Sequence, residues 1–204
     1  MRLYVMRLYE PNKNMSDEKF QNKYRIPTSR LQGYDYGSNG CYHVIICTKN
    51  RVHYFGEIVN GLMQLSKIGN IAQLEWLKTI ELRPDMNLSL DEFVVMPNHL
   101  HCIICIGDNQ YNTQTPIQSY KNKFGSQSKN LASIIRGFKI AITTYARKNN
   151  IDFAWQDRFY DSIIRSNKGL YEVRKYIVNN PQNWSSDDFY CENMNNYPFL
   201  QKHV

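Results

Sequence analysis

Two histidines separated by one residue, His99 and His101, sit in the apolar run 91–106 (DEFVVMPNHLHCIICI). In a β-strand side chains repeat every second residue, so both imidazoles would share one face, with Leu100 on the other. Two neutral imidazoles on one face can grip one divalent metal ion. Further along, the segment 169–181 (GLYEVRKYIVNNP) reads as a short helix. Its spacing of four between Tyr176 and Asn180 puts a phenol and a carboxamide on one helical face.

Together these groups could cut a phosphodiester. That chemistry needs an oxygen nucleophile, charge neutralisation on the scissile phosphate and a held geometry. Tyr176 supplies the oxygen. Mg²⁺ or Mn²⁺ at His99 and His101 would polarise and position the phosphate. Hard cations prefer oxygen ligands, so a two-histidine site calls for another oxygen donor, which the Asn180 carbonyl can provide. Each piece alone has a plainer role: a half-buried His pair, a packing tyrosine, an asparagine stopping a helix before proline. The functional reading rests on their co-occurrence.

The elements that must hold these groups follow from periodicity. The run 41–48 (CYHVIICT) reads as a first buried strand. Residues 57–82 show helical period through Ile58, Leu62, Leu65, Ile68, Ile71, Leu74, Leu77 and Ile80, interrupted near Gly69, which predicts one long helix or two stacked pieces. A second strand covers 88–96, and Pro97 and Asn98 break the ladder before the histidine strand. Residues 107–127 are too polar to pack and are expected to form a mobile loop. Residues 131–148 return to helical period, with Leu131, Ile134, Ile135, Phe138, Ile142 and Tyr145 on one side and Arg136, Lys139 and Arg147 toward the other. The stretch 153–165 is β-like, and the Tyr176 helix should stop at Asn180, because a residue before proline disfavours helical angles. The order β, α, β, β, α, β, α predicts an α+β fold: a ferredoxin-like antiparallel sheet covered by helices on one face.

At 204 residues the chain can bury an ordinary core without metal or disulfide support. Expected units are a basic N-terminal arm and lead-in loop (1–40), one domain (41–184) and a C-terminal tail (185–204) whose role the sequence does not assign. Lys and Arg total 25 against 18 Asp and Glu, and the 15 tyrosines add aromatic faces, a balance that favours an anionic partner. Five irregularly spaced cysteines argue against a secreted disulfide framework and fit a reducing cytoplasm. Cys102 and Cys105 point to opposite faces of a strand and read as small core residues. No run approaches the roughly 20 apolar residues of a membrane span, so a soluble protein is expected.

Four ordered stretches carry a resemblance: 23–58 (KYRIPTSRLQGYDYGSNGCYHVIICTKNRVHYFGEI), 94–104 (VVMPNHLHCII), 153–165 (FAWQDRFYDSIIR) and 176–184 (YIVNNPQNW). The chain resembles the REP-associated tyrosine transposases, relatives of the single-tyrosine transposases of small insertion sequences within the HUH endonuclease superfamily. That resemblance implies an RRM-like core that binds single-stranded or hairpin DNA from repeats flanking its gene, acting as a monomer or homodimer at the bacterial nucleoid. It also implies cleavage of one strand through a 5′-phosphotyrosine, leaving a 3′-hydroxyl that can later reverse the bond and join new ends. By position, His99 and His101 match the HUH pair, with Leu100 as the bulky apolar residue between them, and Tyr176 on a C-terminal helix matches the nucleophile. Asn180 stands where transposon relatives carry a glutamine as third ligand; it is one methylene shorter, and Asn179 is the alternative.

Candidate DNA contacts are Arg25, Arg30 and Tyr34 in the lead-in tract, Lys49 and Arg51 after the first strand, Arg136 and Lys139 on the helix, and Arg158 before the last strand. Basic and aromatic side chains of this kind hold phosphates and stack unpaired bases. Trp155 and Gln156 either touch bases or fix the sheet edge, with core packing favoured for Trp155. Three functions follow in order of preference: a metal-dependent DNA endonuclease and strand transferase, a non-catalytic binder of structured DNA or RNA, and a replication initiator or relaxase of the same superfamily.

Overall fold

The computed structural model describes residues 31, 33–113 and 127–191. Chain order is β1 (Gly40–Cys47), β2 (Gly56–Val59), β3 (Leu62–Leu65), α1 (Lys67–Leu77), β4 (Leu88–Val95), β5 (His99–Ile106), α2 (Leu131–Lys148), β6 (Tyr160–Ile164) and α3 (Asn167–Asn179). Four strands form one sheet in the order β4-β5-β1-β6, and every neighbouring pair is antiparallel. β1 and β4 therefore run parallel with β5 between them, the split βαβ arrangement expected of a ferredoxin-like core.

Alternation divides the sheet into two faces. Tyr42, Val44 and Ile46 of β1 and Leu100, Cys102, Ile104 and Ile106 of β5 join the main core, together with Ile68, Ala72 and Trp76 of α1 and Ile134, Phe138 and Ile142 of α2. The Trp76 and Phe138 rings meet edge to face at 5.4 Å, closing the two helices on each other. The intervening residues His43, His99 and His101 face the other way, toward α3. Two helices thus cover one face, and the tyrosine helix lies over the histidine face.

Caps delimit the helices. Ser66 accepts from the Gly69 N–H at 3.1 Å to start α1, and Ser166 accepts from the Gly169 N–H at 3.1 Å to start α3. Asn130 and Ser133 form a reciprocal capping box that starts α2, where the helical period had predicted it. A β-bulge between Leu90 and Phe93 lets these two residues, an odd number of positions apart, both reach the helix-side core.

Four expectations are corrected. The long helical reading of 57–82 fails at its start: residues 56–65 form the β2–β3 hairpin, and α1 occupies only Lys67–Leu77. The hairpin turns on Asn60 and Gly61, both at positive φ (51° and 76°), which is what an Asn-Gly pair favours between short strands. Only Tyr160–Ile164 of the 153–165 stretch is a strand, while Trp155 makes one isolated bridge to Thr48. Cys105 is not a core residue: Cys41 faces it across the β1–β5 ladder and the two form a disulfide, while Cys47, Cys102 and Cys191 are free thiols. α3 does stop at Asn180, its C-cap, but not for the expected reason, since Asn180 keeps helical angles (φ −58°, ψ −42°) and Pro181 opens a 3₁₀ turn, Pro181–Ser186. Proline is tolerated there because a first-turn residue has no helical N–H bond to lose. Among the described residues, no helix is long and apolar enough to cross a membrane.

Candidate active site

The two interior strands supply three histidines to one face. His99 and His101 have no exposed surface and His43 is 5% exposed. Each of the first two rings is oriented through its Nδ1. Asn98 sends its Nδ2 to the backbone carbonyls of Arg51 (3.2 Å) and Phe189 (2.9 Å), which turns its Oδ1 toward His99 Nδ1 at 2.7 Å. An amide oxygen only accepts, so His99 carries its proton on Nδ1 and its lone pair on Nε2. His101 Nδ1 is 3.3 Å from His43 Nε2. Burial, reinforced by His101, lowers the pKa of His99 far below the usual histidine value and that of His43 to about 3, so both rings are neutral.

The opposing wall comes from α3 and the residues after it. Asp187 Oδ2 accepts from the Tyr176 hydroxyl at 3.2 Å and from Asn180 Nδ2 at 2.9 Å, and lies 3.9 Å from His101 Nε2. Its Oδ1 accepts from the Phe189 N–H at 2.6 Å. Burial alone would raise the Asp187 carboxyl, yet the His101 and His99 rings and the Phe189 N–H hold it well below the usual carboxylate range. Burial and the neighbouring Asp187 charge push the Tyr176 phenol well above its ordinary range. The Phe189 ring lies 4.9 Å from that of His99 and 6.1 Å from that of His101, and Arg51 sits over Phe189 at 5.2 Å while donating to the Asp188 carbonyl at 2.7 Å. This segment encloses the histidines.

Three atoms at the centre are buried without a hydrogen-bond partner among the described residues: His99 Nε2, His101 Nε2 and Asn180 Oδ1. Buried polar atoms are normally satisfied, so such a group asks for a ligand. One ligand atom each from His99, His101 and Asp187 lies within 4.8 Å of the others. Donors of one ion at bonds of about 2.1 Å span up to roughly 4.2 Å. The donors, up to 4.8 Å apart, would close by about half an ångström around one ion; two imidazoles and a carboxylate are a donor set whose chemistry suits a divalent metal, with the Asn180 carbonyl oxygen as a further candidate.

No family model matches the chain. A Haemophilus influenzae protein described as uncharacterised is 38% identical over 167 residues, covering 80% of this chain and 92% of that protein. The chain belongs to that protein's family. Among solved structures, that of a REP-associated tyrosine transposase bound to a REP hairpin superposes with a TM-score of 0.51 at 18% identity, over 84% of this chain and 81% of that one. This likeness shows the fold.

Tyr176, His99, His101 and Asn180 are brought together on one side of the sheet. Of the two asparagines left open as third ligand, Asn179 spends its amide on the Lys175 carbonyl at 2.8 Å, while Asn180 is buried beside Asp187. Among the proposed DNA contacts, Arg51 borders the site. Lys49 is exposed on the same 3₁₀ turn. Tyr34 packs with Tyr36 and Tyr42 on the helix side of the sheet, away from the histidines. Arg136, Lys139 and Arg158 also lie on that side and line one cleft. Arg25 and Arg30 lie outside the described residues. Trp155 packs against Phe55, Phe138 and Phe153 and donates to the Lys139 carbonyl, so it fixes the sheet edge. Asp187 and Asn98 escaped sequence reasoning. Asp187 sits in the tail left without a role, and Asn98 read as a ladder breaker, although its place next to a candidate ligand was the available signal.

Proposed function

We propose that this protein is a metal-dependent single-strand DNA endonuclease and strand transferase that acts on hairpin or repeat DNA through a 5′-phosphotyrosine. The observation that carries the reading is the convergence of two unpartnered imidazole Nε2 atoms and the Tyr176 hydroxyl on one carboxylate, Asp187. The transposase-like fold, whose solved representative is bound to a REP hairpin, supports it.

His99, His101 and Asp187 would hold Mg²⁺ or Mn²⁺, which when bound supplies charge neutralisation at the scissile phosphate. Asn98 keeps the His99 lone pair aimed at that point, and His43 does the same for His101 in the tautomer in which His101 Nδ1 donates to His43 Nε2. The raised Tyr176 pKa means the phenol enters neutral, so its proton must leave as the oxygen–phosphorus bond forms. Asp187 already accepts that hydrogen bond and orients the hydroxyl; because its carboxyl is held low it is a weak base, and the proton passes to solvent. The bond from phosphorus to the leaving 3′-oxygen breaks, and that oxygen takes a proton from solvent. A later 3′-hydroxyl attacking the phosphotyrosine runs the same exchange in reverse.

A second reading, a non-catalytic binder of structured DNA or RNA, is favoured by one observation: the histidines have no exposed surface, so substrate reaches them only if the Asp187–Tyr190 segment moves. A denaturing gel separates the two. Purified protein is incubated with labelled hairpin DNAs from repeats flanking its gene, with Mg²⁺, Mn²⁺ or chelator. A metal-dependent covalent adduct that vanishes in Tyr176→Phe supports the nuclease. Binding with no adduct under either metal, or an adduct retained in Tyr176→Phe, refutes it.

A further inference from the structure

Away from the histidines, the outer side of α2 presents Arg136, Lys139, Ile140, Thr144 and Arg147 at helical spacing, and with Arg158 these line an open cleft of about 360 Å³. Among the described residues no carboxylate lines it. Arg136, Arg147 and Arg158 are exposed, and Ile140 is 58% exposed, an apolar floor beneath cationic rims. Lys139 has a different task. Its ammonium donates to the Gln156 carbonyl (2.8 Å) and the Arg158 carbonyl (2.5 Å) and lies 5.5 Å from the centre of the Trp155 ring. That tether holds the 156–158 loop against the helix, with Arg158 kept in the left-handed region at φ 67°.

The cleft lies on the helix side of the sheet but opens at its edge. Phe159 lines the cleft and packs against the helix-side core. The next residue, Tyr160, begins β6 and pairs with Ile45, which pairs in turn with His101. Cross-strand partners share a face, so Tyr160 belongs to the histidine face, and its ring lies 5.9 Å from Phe189. β6 is two strands from β5, about 10 Å away. One residue step at this edge therefore leads from the histidine face to the cationic cleft.

We propose that this cleft binds the phosphodiester backbone of DNA flanking the strand held at the histidines, so that the nucleic acid wraps the β6 edge and touches both faces. This rests on the DNA-cleaving function proposed above. From Arg136 to Arg147 the helix rises about 16 Å, matching roughly five nucleotides of one B-form strand. Guanidinium groups over a Thr-bearing helix suit phosphate oxygens, and the exposed Ile140 suits a sugar or base face.

The test uses full-length protein and a fluorescein-labelled DNA hairpin with a single-stranded extension, read by anisotropy across a potassium chloride series. For Arg136→Ala/Arg147→Ala, the slope of log affinity against log salt should fall by about 2, since each lost phosphate contact removes roughly 0.9. Lys67→Ala/Lys78→Ala removes the same charge from α1, outside the cleft, and should leave the slope as in the wild type. An unchanged slope in the arginine variant with wild-type melting, or an equal loss in the lysine variant, overturns the cleft. Tighter binding of a matched RNA hairpin with the same slope loss overturns its assignment to DNA. The covalent adduct is read in parallel. Adduct with unchanged slope removes the cleft and spares the nuclease, whereas slope loss without adduct in either metal does the opposite.

Discussion

Asn98→Ala should separate the orientation of a ligand from its presence. In the native site one buried amide makes three bonds: it accepts from His99 Nδ1 at 2.7 Å and donates to the Arg51 and Phe189 carbonyls at 3.2 and 2.9 Å. Truncation strands the imidazole N–H in a pocket with no exposed surface, a penalty of about 1–3 kcal/mol, and forfeits roughly 0.5–1.5 kcal/mol for each bond to a carbonyl. Allowing for some relaxation, the loss of stability should be about 2–4 kcal/mol, read by urea unfolding. The freed ring can also change tautomer or rotate, which moves the Nε2 lone pair off its aim. Loss of such a partner typically costs about 10–100-fold in metal affinity, to be read by titration calorimetry with Mn²⁺. Asn98→Asp keeps an acceptor for His99 but cannot donate to either carbonyl. It should retain most of the metal affinity while loosening the segment around Phe189. Wild-type Mn²⁺ affinity in a folded Asn98→Ala protein would refute both the tautomer assignment and the role of His99 Nε2 as a ligand.

Three further outcomes are expected. Asp187→Asn keeps the shape but removes the charge and leaves one acceptor oxygen for either the Tyr176 and Asn180 donors or the Phe189 N–H, so its loss of Mn²⁺ affinity in calorimetry should exceed the ~10–100-fold typical of partners one step further out. Arg174 donates to both oxygens of Asp91 (2.7 and 2.5 Å), tying α3 to β4, and its hydrogen bonds lower the Asp91 carboxyl below the usual range. Because the folded-state value is depressed, this contribution is present above about pH 4 and lost as pH falls through the folded value. The pair is partly exposed and worth at most about 1 kcal/mol, so Asp91→Asn should lower the melting temperature slightly at pH 7 and the gap should close in acid. At Gly69 a Cβ would overlap the Phe55 carbonyl oxygen, so Gly69→Ala should destabilise by about 1–3 kcal/mol, measured by thermal melting, despite alanine's better helix propensity.

The histidine strand and the gathering of His99, His101, Tyr176 and Asn180 on one side of the sheet were legible where local signals agreed. The alternation around His99, Leu100 and His101 set the faces correctly because β5 is interior and its parity has a buried partner on each side. The bounds of α2 were read to the residue because Asn130 caps it and Asn149 ends it, while its buried stripe also takes in Ala146, which the apolar period did not mark. The hairpin at 56–65 was missed because its apolar residues also fit a helical period, and the Asn60-Gly61 turn signal was outvoted by that run. Asp187 was not legible because its position depends on how the chain turns after Pro181, and nothing in the mixed aromatic and acidic stretch 182–190 reports that it folds back over His101. The Cys41–Cys105 pairing needed the β1–β5 register, which follows only from long-range strand pairing.

β5 and β1 are the two interior strands, and every histidine of the site is mounted on them. Amides in such positions open mainly with the whole molecule, so the histidine half of the site has no private route to disorder. Tyr176 has a different footing, since α3 buries one residue, Ile177, and leaves Tyr171 and Val178 mostly exposed. Division of labour follows from this unequal anchoring. His99 and His101 are held as durably as the fold itself, while Tyr176, Asn180 and Asp187 belong to the lightly fastened side, so a movement of that side would, under the proposed function, carry one metal ligand along with the tyrosine. Hydrogen exchange at His99 and His101 should track global unfolding, and bound metal should raise the stability of the entire domain rather than of one corner.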